Sequence, residues 1–207
     1  MGGVVFPNHP LAATEDELVK LAGYGKDINK NRAEAKRLLK EAGHANLSLE
    51  LHNRGVDQPY KVLGIWLIDQ WKKIGVKATH RVQASPAFYA TLRKKFDYEV
   101  SIDFNCQSVI NPIADITKFL GSAGNNYGQY EDQVLEDTYN KIARSPDPSE
   151  QRRLIRQYET RALSEMAHIS ITLWWYKINP HRSYVKGWNI APSHYLNQQL
   201  DNVWLDK

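Results

Sequence analysis

The chain has 207 residues, of which 42% are hydrophobic and 24% are charged, an ordinary composition for one large globular domain. This composition excludes collagen-like, coiled-coil and intrinsically disordered proteins. The net charge of +4 is too small to indicate a nucleic-acid-binding surface, and no stretch approaches the ~20 apolar residues that span a bilayer.

The first thirty residues have no sustained period, and they are expected to form a loop with one short helix around 15–21. Residues 31–43 favour a helix that Asn31 caps and Gly43 ends. Leucines then alternate with other residues over 47–52, which is typical of a half-buried strand. Residues 53–55 are expected to leave this strand as a loop.

Helices and strands continue to alternate through the first half of the chain. Residues 60–73 carry apolar side chains at helical spacing, and residues 76–82 follow as a strand. A Ser-Pro pair opens a predicted helix over 85–92, because serine caps helices and proline suits the first helical position. Residues 98–104 are predicted to form the third strand.

The second half is predicted to be more helical. An Asn-Pro pair at 111–112 opens a short helix, and two longer helices are expected at about 132–144 and 149–167, separated by SPDP. Residues 168–176 are rich in β-branched and aromatic side chains, which indicates a strand. Everything after Pro180 is expected to be irregular.

Strands that alternate with helices of ten or more residues indicate the α/β class, with a mainly parallel sheet flanked by helices. Ligands of such sheets bind beyond the carboxyl ends of the strands. In this chain the rule selects Asn53 and Arg54, residues 105–107, and the end of the 168–176 strand.

Two adjacent tryptophans lie near the end of that strand. Consecutive strand residues point to opposite faces, so Trp174 and Trp175 cannot both fill the same core. Core packing explains one of them, and the other is expected at a cleft or a domain interface. For Trp175, core and cleft are equally open alternatives.

Catalytic and metal-site patterns are weak. The seven histidines are scattered without paired helical spacing, which predicts no metal site, and no phosphate loop or dinucleotide fingerprint is present, so no cofactor is expected. Cys106 follows a strand end, where a nucleophile could lie, although a buried inert thiol explains it more simply. A hydrolase that uses Cys106 or Asp103 is therefore the alternative function.

Several segments in fixed order resemble one protein family. They are RAEAKRLLKEAG, a QPY turn, QWKKIGV, KKFDYEVSI, an Asn-Pro turn, ARSPDPSEQRRLIRQYE and the final VKGWNIAPSHYLNQQLDNVWLDK. Together they resemble the C-terminal half of the family 5 extracellular solute-binding proteins, the dipeptide- and oligopeptide-type receptors of bacterial ABC importers. The resemblance covers nearly the whole chain.

This resemblance implies a lobe of the type II periplasmic binding protein fold and a non-enzymatic function. The chain would comprise a first segment (1–30), an α/β solute-binding lobe (31–179) and an irregular tail (180–207) that returns to a missing first lobe. It would be a fragment of a receptor in the periplasm, or on the outer face of the cytoplasmic membrane, that delivers a peptide or peptide-like solute to ABC permease subunits. Met1 would then be an arbitrary start inside an exported protein.

The resemblance also implies where the ligand binds. Peptide-binding relatives hold the ligand's free amine with an Asp a few residues after the third strand, and Gln107 takes that position here. An Arg that can face the ligand carboxylate near the QPY turn is replaced by Gln58, and Arg54 lies close enough to substitute. Zwitterionic dipeptides are therefore not favoured as ligands. The expected ligand contacts are Asn53, Arg54, Phe104, Asn105, Gln107 and Trp175.

Overall fold

The computed structural model describes residues 2–105, 111–176, 178–189 and 200–207. Its helices are α1 (Glu15–Leu18), α2 (Ile28–Glu41), α3 (Val62–Lys72), α4 (Ser85–Ala90), α5 (Pro112–Asp115), α6 (Gln133–Arg144) and α7 (Pro148–Thr160). Its strands are β1 (Ser48–Arg54), β2 (Lys77–Gln83), β3 (Val100–Ser101), β4 (Val185–Lys186) and β5 (Trp204–Leu205). Within the described ranges, every helix is too short or too polar to cross a bilayer.

The residues form two compact units. The first, called here the sheet unit, comprises Val19–Phe104 and Gly124–Gln129. The second, called the hairpin unit, comprises Met1–Leu18, Asn105–Ala123 and Tyr130–Lys207.

The sheet unit is built on three parallel strands in the order β2-β1-β3. Strand β1 pairs with β2 along its whole length, from Ser48 opposite Lys77 to Arg54 opposite Gln83. Parallel neighbours need a crossover, and α3 and α4 supply the two crossovers, β1 to β2 and β2 to β3. The α/β class with a parallel sheet flanked by helices is therefore confirmed.

Helices cover both faces of this sheet. On one face, Leu51 of β1 is buried against Leu63 of α3. On the other face, the buried His52 ring stacks on Phe88 of α4, with 4.6 Å between the ring centroids. Adjacent residues of β1 therefore contribute to two different apolar layers, as the two-residue period of a strand requires.

Several predicted boundaries in the sheet unit are wrong. Helix α2 begins at Ile28 because the Asp27 carboxylate accepts hydrogen bonds from the N–H groups of Asn29 and Lys30, which makes Asp27 the cap instead of Asn31. Gly43 does end this helix, with a φ of 78° that favours glycine.

Strand β1 is longer than predicted, and β3 is shorter. Asn53 and Arg54 are not in a loop, because they continue the pairing with β2. The predicted third strand contains only Val100–Ser101, since β3 pairs with β1 at Leu51 and His52 alone.

The hairpin unit has its core between α6, α7 and the segment around α5. The predicted pair of long helices is confirmed, with Asp132 and Asp147 capping their N-termini. The fully buried Tyr158 donates a hydrogen bond from its hydroxyl to the Ile116 carbonyl oxygen at 2.9 Å. The buried apolar side chains of this unit are Val4, Val5, Leu18, Ile116, Leu120, Leu135, Ile142, Leu154, Ile155, Tyr158, Ala162 and Leu163.

Polar side chains of α7 hold the N-terminal segment. Arg152 forms a two-pronged ion pair with Glu17, with nitrogen to oxygen distances of 2.8 and 2.5 Å. The buried Glu159 carboxylate accepts a hydrogen bond from the Val4 N–H at 2.7 Å. Burial raises the pKa of Glu159, although the nearby Arg156 opposes that shift. A Cβ at Gly3 would lie 1.6 Å from Glu159 Oε1, so only glycine fits there.

The predicted strand over 168–176 is wrong, since none of these residues is in a strand. No strand pairs with the segment in the described part of the chain, and Trp174 contacts the N-terminal segment instead, because its Nε1–H donates to the Gly3 carbonyl oxygen at 3.1 Å. Contrary to the prediction, the tail is not irregular throughout, because β4 and β5 form a short antiparallel pair in its described part.

Replacing Tyr158 by Phe should lower the free energy of unfolding by about 1–3 kcal/mol, because the Ile116 carbonyl would stay buried without its donor. Urea unfolding followed by tryptophan fluorescence measures this change. Tyr176→Phe is the matched control, since that side chain is 85% exposed. Equal stability of the two variants would contradict the assigned hydrogen bond.

Candidate functional site

The candidate site lies at the carboxyl ends of the parallel strands of the sheet unit. Arg54 is the last residue of β1, Ser85 follows the end of β2, and Phe104 follows β3. Because the strands are parallel, these ends meet at one edge of the sheet. Arg54, Tyr60, Ser85, Tyr89 and Phe104 are called the Arg54 cluster below.

Arg54 is held by contacts on several sides. Its Nε donates to Ser85 Oγ at 2.8 Å. Its guanidinium carbon lies 5.2 Å from the centroid of the Tyr60 ring and 5.4 Å from that of the Tyr89 ring. The rings' negative faces attract the cation, and the serine fixes its orientation. The half-buried guanidinium is therefore preorganised.

The positive charge of Arg54 has no carboxylate partner in the described ranges. Other arginines do have one: Arg81 pairs with Glu50 and Asp97, and Arg161 pairs with Asp132. The Arg54 Nη1 lies 3.5 and 3.4 Å from the two tyrosine hydroxyl oxygens of its cluster, so these are long contacts. An unneutralised guanidinium in this position can bind an anion.

Aromatic side chains form the walls around this cation. The Tyr60 and Phe104 rings meet edge to face, with centroids 6.3 Å apart, and Phe104 is 39% exposed. Burial raises the pKa of the Tyr89 phenol, while the nearby Arg54 charge opposes that shift. Arg93 lies over the same ring at 4.8 Å and donates from Nε to the Tyr127 hydroxyl at 3.1 Å. The site therefore combines apolar surface with fixed positive charge.

Asn53 lies beneath the cluster. Its side chain is fully buried, and its Nδ2 donates to the Tyr60 carbonyl oxygen at 2.6 Å. The same nitrogen lies 2.9 Å from His80 Nε2, and Oδ1 accepts from the Arg54 N–H at 2.8 Å. Both amide hydrogens and the oxygen thus have protein partners, so Asn53 supports the cluster from inside.

The remaining predicted residues belong to the hairpin unit or fall outside the described ranges. Asn105 donates from Nδ2 to the Asp115 carbonyl oxygen at 2.9 Å, and burial raises the pKa of the Asp115 side chain to about 6. Trp175 is 59% exposed, which decides against the core alternative. Gln107 and Cys106 lie outside the described residues.

Sequence reasoning missed Tyr60, Ser85 and Tyr89. Two signals could have found them. The strand-end rule selected residues after the first, third and fourth predicted strands, and the end of the second strand leads to Ser85. Tyr60 belongs to the QPY turn itself.

Within the part of the chain that the structure describes, no group of three metal-binding side chains occurs.

Solved structures of periplasmic binding proteins share this fold. One is the ABC transporter-associated periplasmic binding protein DppA from Helicobacter pylori, in complex with the peptide STSA. It is 21% identical with a TM-score of 0.70, and the match covers 89% of this chain and 35% of that one. The type II periplasmic binding protein fold expected from the sequence resemblance is therefore confirmed.

Two further structures agree with this assignment of the fold. OppA from Haemophilus influenzae, in complex with RPPGFSPFR, is 17% identical with a TM-score of 0.64 over 78% of this chain and 32% of its own. The periplasmic murein tripeptide-binding protein MppA, in its unliganded open form, is 17% identical with a TM-score of 0.64 over 72% of this chain and 31% of its own. The chain spans about a third of the length of these proteins. No protein-family model and no curated protein matches it.

Replacing Arg54 by Gln should raise the pKa of Tyr89 further, because the cation beside the ring favours the phenolate. Tyrosine Cζ chemical shifts followed through an alkaline titration by NMR measure this pKa. Arg81→Gln is the control, since that guanidinium lies on Glu50 and Asp97 instead. An unchanged Tyr89 pKa in Arg54→Gln would show that Arg54 does not lie on that ring.

Proposed function

We propose that the chain captures a peptide-like solute with a free carboxylate, as one lobe of a receptor for an ABC importer. The observation that carries this proposal is Arg54: a half-buried guanidinium, fixed at the strand ends, with no carboxylate partner among the described residues. Capture without chemical change fits the substrate-binding proteins that share the fold.

A carboxylate is the anion that fits this position best. Its two oxygens can accept from the outward N–H groups of Arg54, and the hydroxyls of Tyr60 and Tyr89 lie close enough to donate as well. The Phe104 and Tyr60 rings offer apolar surface to the rest of the solute. Because Gln107 is neutral where peptide-binding relatives have Asp, the solute need not carry an ammonium group at that point.

The comparisons support the peptide class. DppA and OppA were solved with the peptides STSA and RPPGFSPFR, respectively. By analogy, Asn105, Gln107 and Trp175 would contribute contacts to the closed receptor, and the missing first lobe would complete the enclosure. Residues 1–30, 31–179 and 180–207 would then be a first segment, the solute-binding lobe and the returning tail.

The setting of the proposed receptor follows from the same analogy. The full-length protein would act in the periplasm or on the outer face of the cytoplasmic membrane and would deliver its solute to permease subunits. Binding by this chain alone should be weak, since half of the surface that would enclose the ligand is absent and such sites bury most of a ligand.

The 207-residue chain should bind an acetylated Ser-Thr-Ser-Ala tetrapeptide with a free C-terminal carboxylate more tightly than the same peptide as its C-terminal amide. The difference should be about tenfold or more, because a hydrogen bond between charged groups contributes roughly 1.5–3 kcal/mol. NMR titration of the ¹⁵N-labelled chain measures such weak affinities and reports on the Arg54 Nε–H signal.

Arg54→Gln should remove the preference for the carboxylate. Arg93→Gln is the matched control, because Arg93 lies on the same Tyr89 ring but donates to Tyr127. It should keep the preference. Equal affinity for the acid and the amide in the unaltered chain would refute a carboxylate site at Arg54.

A further inference from the structure

A hydrogen-bonded pair of side chains lies directly under the Arg54 cluster. Asn53 of β1 donates from Nδ2 to the Tyr60 carbonyl oxygen at 2.6 Å, and the same Nδ2 lies 2.9 Å from Nε2 of His80 on β2. The helical turn that carries Tyr60, just before α3, is therefore tied to the sheet through Asn53, and Asn53 is tied in turn to His80.

The chemistry of this pair defines the protonation state of His80. An amide nitrogen must face the Tyr60 carbonyl, because an amide oxygen there would be repelled, so Nδ2 also faces His80. Nε2 can then only accept a hydrogen bond, which requires a neutral ring with its hydrogen on Nδ1. A proton on Nε2 would place two donors against each other and break the contact.

Helix α3 packs closely against the pair at Gly64. A Cβ at Gly64 would lie 2.5 Å from His80 Nε2 and 2.6 Å from Asn53 Nδ2, so the helix can approach the pair only with glycine at that position. If the imidazole gains a proton, Asn53 must turn away from it. This movement also withdraws its other hydrogen from the Tyr60 carbonyl.

Charged groups of the surrounding elements pair with one another. The acid of α3, Asp69, pairs with Lys73. On the strands, Arg81 of β2 pairs with Glu50 of β1 and with Asp97. Asn53 and Gly64 lie against the His80 ring nitrogen, and neither is charged. Burial lowers the pKa of His80 from its ordinary range, so the neutral form persists at pH 7.

We propose that His80 and Asn53 are positioning residues for the Arg54 cluster, and that protonation of His80 releases Tyr60 and weakens the cluster's hold on its solute. The consequence for solute rests on the proposed function, whereas the release of Tyr60 does not. Because the folded-state pKa of His80 is lowered, the tie is present at neutral pH and is lost as the pH falls through that pKa.

The backbone amide of Lys61 is the direct reporter, because it belongs to the same peptide group as the Tyr60 carbonyl. In ¹⁵N-labelled chain without ligand, the Lys61 amide and the Arg54 Nε–H should shift with the same midpoint as the His80 ring signals. In the presence of the acetylated Ser-Thr-Ser-Ala peptide, affinity should fall about three- to tenfold below that midpoint, the loss expected for one hydrogen bond.

Variants separate this mechanism from general acid effects. His80→Gln keeps a group that can accept from Asn53 but does not titrate. The change in the Lys61 amide chemical shift at the His80 midpoint, called the Lys61 step, should therefore vanish, while the affinity for the peptide at pH 7 is kept. In Asn53→Ala, the Lys61 amide should have at every pH the chemical shift that the unaltered chain shows only below the His80 midpoint. His44→Gln, which removes an exposed histidine after α2, should keep the step.

The outcomes also distinguish failure of this inference from failure of the proposed function. If the Lys61 step follows His80 but no peptide binds at any pH, the positioning role stands and solute capture fails. If peptide binds through Arg54 and Lys61 does not follow the His80 titration, or if His80→Gln keeps the step, the inference is overturned.

Discussion

The parallel register of β1 with β2 is the constraint on which the rest of the sheet unit depends. Arg54 lies opposite Gln83, so Ser85 begins the next helix within reach of the guanidinium. The same register places Asn53 and His80 on the face that α3 covers. A slip of one residue would exchange the two faces of β1, turn Arg54 toward α3 and separate every partner in the cluster.

The order of the elements was predictable from the sequence, and the strand ends were predictable to within a few residues. The alternation of helices and strands is strong in residues 31–104, and each element there was found, because the apolar periods and the glycine and proline signals are local. The strand-end rule then led to Arg54 without knowledge of any contact. The family resemblance selected Arg54 as well, and it added Phe104.

The errors arise where distant contacts override local pattern. Asn53 looks like a loop residue, yet it is buried because His80 and the Tyr60 carbonyl use its amide hydrogens. Residues 168–176 have strand composition, but a strand needs a neighbour, and β-propensity alone supplies none. Arg54 also lies against the ring of Tyr89, which belongs to a helix 35 positions further along the chain. No local sequence signal predicts that contact.

The central claim is that Arg54 is a preorganised and unneutralised site for a carboxylate. A crystal structure of the chain soaked with the acetylated Ser-Thr-Ser-Ala peptide tests it most directly. We expect the peptide's C-terminal carboxylate within hydrogen-bond distance of Arg54, with the Arg54 Nε–H still donating to Ser85 Oγ. A carboxylate bound elsewhere, or Arg54 paired with an acid of the chain itself, would contradict it.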